Sequence, residues 1–138
     1  MTTDEVKSYL RQAYKLDKRL QRERRNLEKL KSAAEYRSPG FDSCGGNGSG
    51  DRIAESVSRI IEEEQRVQEL TDIYTAKYLE IEQTIKGIGN DTLEEVLELR
   101  YLHSKSWEDI AQRMNYSERH ITRLHGIALQ KMSLNVRF

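Results

Sequence analysis

Ser106-Trp107-Glu108-Asp109-Ile110-Ala111-Gln112-Arg113-Met114, then Asn115-Tyr116-Ser117, then Glu118-Arg119-His120-Ile121-Thr122-Arg123-Leu124 is the stretch on which the fold turns. Trp107, Ile110, Ala111 and Met114 fall at i, i+3, i+4 and i+7, which makes them one buried face of a short helix. Ser106 suits a helix cap, and acidic residues follow it in the first turn. Asn115 tolerates left-handed backbone, Tyr116 is expected to fill the turn, and Ser117 can cap the next helix. From Glu118 onward, Ile121, Leu124, Ala128, Leu129 and Met132 share a second inward face. Two helices joined by a three-residue turn, with the small Ala111 where they approach, meet the requirements of a helix-turn-helix.

The outward positions at the start of the second helix carry the chemistry. Arg119 and Arg123 offer paired donors that match guanine, Glu118 can accept from the cytosine amino group, and Thr122 can touch a base edge or a thymine methyl. These four are the candidate base-reading residues. Arg113, Ser117, His120 and Lys131 are the candidates for holding the phosphate backbone of a duplex.

Upstream, Asp91-Thr92-Leu93-Glu94 offers a capped helix start, and Leu93, Val96, Leu97 and Tyr101 form its apolar stripe. Two long helices precede it. From about Asp4 to Glu35, Val6, Ala13, Leu20, Leu27 and Ala34 recur every seven residues, with Tyr9, Leu16, Glu23 and Leu30 three residues behind. From about Arg52 to Lys86 a second heptad pattern runs through Ile53, Ile60, Val67, Tyr74, Ile81 and Ile88, interleaved with Val57, Glu64, Thr71, Tyr78 and Ile85. The run Glu62-Glu63-Glu64 is expected to face water for the most part.

Between the long helices, residues 38–51 include Ser38-Pro39-Gly40 and Cys44-Gly45-Gly46-Asn47-Gly48-Ser49-Gly50, which cannot hold regular structure cheaply and read as a flexible linker. Ser49 and Asp51 are the candidate caps of the helix that follows. Residues 1–37 carry eleven Lys/Arg against six Asp/Glu, whereas residues 51–90 carry five against nine. A basic helix and an acidic one of similar length, joined by a short linker, predict an antiparallel coiled-coil hairpin. The cluster Arg19, Arg22, Arg24 and Arg25 reads first as a solvated face pairing with the acidic helix, with an added phosphate contact as the alternative. A two-helix hairpin buries little surface, so self-association through leftover apolar positions such as Ile61 and Leu70 is expected as well.

Leu93 through Tyr101, Ser106 through Ala111, and Tyr116 through Met132 together resemble region 4 of bacterial sigma factors over about 40 residues. That resemblance implies a module that reads a promoter element in double-stranded DNA and touches RNA polymerase. Carried over by position, its base-reading residues are Glu118, Arg119, Thr122 and Arg123. Thr122 stands where that family usually has Arg, and Arg123 where it usually has Gln, so a different target sequence is implied. No counterpart of the promoter-melting regions is present, so a complete sigma factor is not expected. The whole layout, ending in Arg-Leu-His-Gly-x-Ala-Leu, resembles phage and prophage regulators of the RinA/ArpU type, which implies control of late phage transcription.

Composition narrows the classes further. Of the 138 residues 36 % are hydrophobic and 33 % charged, with no net charge, and the mean hydropathy is −0.82. That profile suits long helices with narrow apolar seams. The single cysteine, Cys44, cannot form an intrachain disulfide, and the N-terminus lacks a signal-peptide pattern, so a cytoplasmic protein with no membrane span is expected. No nucleophile–base pair, paired carboxylate or metal-ligand spacing points to an enzyme or a cofactor. His125 is expected to be solvated, and Trp107 to pack in the core. The expectation is an all-α chain: a long basic helix (1–37), the linker (38–51), a long acidic helix (52–88) and a sigma-region-4-like module (91–138). Its expected role is a homo-oligomeric DNA-binding transcription regulator. Two alternatives remain open, a small-terminase-type DNA-packaging protein and an RNA polymerase adaptor without DNA binding.

Overall fold

Thr2 opens the first helix: its Oγ1 accepts from the Glu5 amide at 3.2 Å, and its carbonyl accepts from Val6 N. The computed structural model describes residues 1–36 and 49–135. Among these the chain is all-α, with five helices and no strand. They are α1 (Thr3–Tyr36), α2 (Ser49–Lys86), α3 (Asp91–Leu97), α4 (Trp107–Met114) and α5 (Glu118–Asn135). Ser49–Asp51 belong to α2, so the residues expected to end the linker already form helix. The rest of that stretch, Cys44 included, lies outside the described residues.

Helix ends follow the local chemistry. Asn90, rather than Asp91, caps α3, its Oδ1 accepting from Leu93 N at 3.1 Å. Ser106 caps α4 by accepting from Asp109 N at 3.2 Å. Asn115 ends α4 in the left-handed region at φ 58°, a conformation short polar side chains tolerate. Gly89 adopts φ 75° between α2 and α3, where a side chain would be strained.

The described chain divides into two compact units, residues 1–16 with 74–138, and residues 17–73. In the first, Val6, Leu10 and Ala13 of α1 join Ile81 and Ile85 of α2, Leu93 and Leu97 of α3, and Ala128, Leu129 and Met132 of α5 in one buried cluster. A second cluster unites Val96, Leu99, Ile110, Ala111 and Ile121. The backbone widens into a π-helical turn at Glu98–Leu102, right after α3. It places Leu99 in the second cluster while Tyr101 and Leu102 enter the first.

In the second unit the a/d seam of α1 turns inward: Leu20 is buried, and Glu23, Leu27, Leu30 and Ala34 are half-buried. On α2 the interleaved set holds at Thr71, Tyr78 and Ile85 but differs before them. Glu63 is buried and Leu70 half-buried, whereas Glu64 is exposed, as are Ile53 and Val57. The inward stripe there runs Ile60, Glu63, Val67, Leu70, three residues after each heptad position rather than four. The charge run is thus not wholly solvated. Opposite charges meet across this unit at Lys31–Glu64, 3.3 Å apart. Arg19, Arg22, Arg24 and Arg25 are exposed, as a solvated face requires, but against expectation they form no ion pair among the described residues. No described helix is long and apolar enough to cross a membrane.

Candidate functional site

Ile121, Ala128 and Met132 are fully buried and fix the inner face of α5, so its opposite face is held outward in the first unit. Glu118, Arg119, Thr122 and Arg123 all lie exposed on the first two turns of that outer face. At 100° per residue they occupy one sector of roughly 140°. Neither arginine forms an ion pair among the described residues. The Thr122 hydroxyl donates to Glu118 O at 3.0 Å, which leaves its methyl and oxygen lone pairs outward.

The turn before α5 is anchored twice. Ser117 Oγ accepts from the His120 amide at 3.1 Å, and the Tyr116 amide donates to Ala111 O at 3.0 Å. Tyr116 does not fill the turn. It is exposed, and its ring meets the edge of His120 at 4.7 Å, which leaves His120 half-buried. Ser117 thus serves first as a cap, with its proton still available to an acceptor. Arg113, in the last turn of α4, is exposed. Lys131 is exposed too, but it lies about 12 Å further along α5 than Arg123 and is not grouped with the others.

His125 is buried, which corrects the expectation of a solvated ring. Its Nε2 and the Tyr101 hydroxyl share a 2.7 Å hydrogen bond, and Trp107 meets it edge-on at 4.7 Å. Burial foremost, then the cations Lys7, Arg100 and Arg11, push its pKa down to about 4, so the ring is neutral at pH 7. Trp107 packs against the second cluster as expected, and it also carries the Arg100 guanidinium 4.2 Å from its ring centre.

Beside Thr122 the first unit opens into a concavity of about 700 Å³. Lys7, Arg11 and Lys15 from α1, with Arg100 and Lys105, line it together with Trp107, and no carboxylate does. These cations were not among the expected site residues. The spacing of Lys7, Arg11 and Lys15, four apart on one helix, was the available signal. Among the described residues no cluster of His, Cys, Asp and Glu could hold a metal ion.

A family model matches residues 5–132, nearly the whole of this arrangement. The chain belongs to that family, described as protein of unknown function DUF722. The match takes in α1 to α4 and most of α5, so the basic concavity and the outer face of α5 both lie within the DUF722 region. No curated protein and no solved structure matches the chain.

Proposed function

We propose that this DUF722 chain is a sequence-specific double-stranded DNA-binding transcription regulator that lays the start of α5 in the major groove. One observation carries the reading. Glu118, Arg119, Thr122 and Arg123 form a single exposed sector on the first two turns of a helix whose underside is fully buried and whose entry is fixed by Asn115 and Ser117. A buried underside holds these side chains at a constant presentation, which base readout requires. Arg119 and Arg123 supply bidentate donors to guanine, while Glu118 and Thr122 refine the choice. Arg113, Ser117 and His120 fix the register on the backbone, and Lys131 adds a more distant phosphate contact.

The resemblance to sigma region 4 extends the reading to contact with bacterial RNA polymerase, and the overall layout extends it to phage late genes in the host cytoplasm. Ile53, Val57 and Ile61, four residues apart and exposed on α2, offer the surface for a homo-oligomer that would pair two modules on repeated half-sites.

Selection of bound duplexes from a random pool tests the reading, with wild type and the Arg119→Ala/Arg123→Ala variant run in parallel. Wild type should enrich a defined motif. Each lost arginine should cost about 1–3 kcal/mol and relax the preference at its own base positions. A motif that survives unchanged in the double variant removes these residues from base reading. No enrichment by the wild type removes sequence-specific DNA binding.

A further inference from the structure

The concavity beside Thr122 concentrates more positive charge than the outer face of α5. Lys7, Arg11 and Lys15 stand on successive turns of α1, about 6 Å apart along the axis, and Arg100 and Lys105 complete the lining. None of the five forms an ion pair among the described residues, whereas Lys31, Arg59, Arg66, Lys77 and Lys86 each meet a carboxylate. Five unpaired cations facing one space repel each other, and an anion entering that space offsets the repulsion. The hydroxyls of Ser104 and Ser106 add neutral donors along the same wall, while the Thr122 proton is committed to Glu118 O. Ser106 Oγ accepts from Asp109 N, which leaves its proton free to donate.

We propose that this concavity is a phosphate-binding site, and that α1 belongs to the nucleic-acid interface. When α5 enters the major groove, the site holds the sugar-phosphate backbone of the duplex. The duplex assignment rests on the function proposed above; the phosphate chemistry does not. Two features favour a nucleic-acid strand over a free anion. A space of about 700 Å³ far exceeds a single phosphate, and Thr122 belongs both to this lining and to the base-reading sector. Small-molecule pockets of similar size are mostly apolar, whereas five of the twelve residues lining this one are cations.

Trp107 lines the site and is the only tryptophan, so its fluorescence reports filling in the intact chain. The test titrates the full chain with a random-sequence 20-base-pair duplex over a range of salt, and separately with inorganic pyrophosphate. Wild type is compared with Arg11→Ala/Lys15→Ala, both exposed positions, and with the control Arg52→Ala/Arg59→Ala on α2. The α1 variant should lower the slope of log affinity against log salt by about one to two, with the selected sequence unchanged, and the control should leave the slope alone. An unchanged slope in the α1 variant, or an equal loss in the control, overturns the site while leaving the DNA reading intact. If wild type binds no duplex but pyrophosphate saturably changes Trp107 emission in a manner lost in the α1 variant, the phosphate site stands with a free phosphorylated ligand, and the DNA reading fails. If neither probe binds, both fail.

Discussion

His125 shows how one side chain couples burial to acidity. Its ring sits between Tyr101 and Trp107, neutral because charging it would cost desolvation next to Lys7, Arg100 and Arg11. In the unfolded chain the same group titrates near its ordinary value of 6.5. Between about pH 6.5 and 4 the unfolded state therefore binds more protons than the folded state. Its contribution is fully present above the unfolded value and is lost as pH falls toward about 4. That shift corresponds to about 3 kcal/mol. Thermal melts at pH 7 and pH 5 should show wild type losing stability on acidification, and His125→Phe losing distinctly less. Equal losses in the two proteins would show that His125 does not carry the effect.

At the scale of helices, the seam of the second unit contains a carboxyl pair. Glu63 is buried on α2, and its pKa is raised, first because its protonated carboxyl donates to Glu23 of α1, then by burial and by the Glu23 charge. Arg66 meets Glu63 Oε2 at 3.4 Å, but Oε1 has no partner while both carboxyls are ionised. A raised carboxyl pKa weakens the folded state above the ordinary carboxylate range and ceases to do so below it. Glu63→Gln should therefore raise the melting temperature at pH 7, with a smaller gain at pH 4. A lowered melting temperature at pH 7 would mean that the charge is compensated. The heptad pattern puts Glu23 in the α1 seam and Glu64 in the interleaved set of α2, whereas the structure buries Glu63 and leaves Glu64 exposed. Period alone could not separate the two, because adjacent Glu residues at 62–64 satisfy either register and only packing selects one.

Across the molecule, the boundary between compact units falls within both long helices rather than at the break after Lys86. The first turns of α1 help to close the core on which α3 and α5 rest, and Leu10, absent from the heptad seam, is among its most deeply buried residues. Leu10→Ala should cost about 2–5 kcal/mol in chemical denaturation followed by circular dichroism. Ile73→Ala, at an exposed α2 position, should stay within about 0.5 kcal/mol of wild type. Similar effects at the two positions would contradict the role of α1 in that core.

The sequence by itself determined the helices and most of their inward faces. Leu93, Val96, Leu97, Ile110, Ala111, Ile121, Ala128, Leu129 and Met132 all lie where their periodicity puts them, because a helix that buries one stripe repeats it every three to four residues. Caps and the left-handed turn at Asn115 were legible for the same reason: they depend on the residue and its immediate neighbours. Tertiary structure alone decided what lies across from what. Lys7, Arg11 and Lys15 come to line one space with Arg100, some ninety residues away in sequence, and His125 becomes buried rather than solvated. Both results depend on long-range packing, and a local pattern of charge and hydropathy carries no information about which distant helix completes a surface.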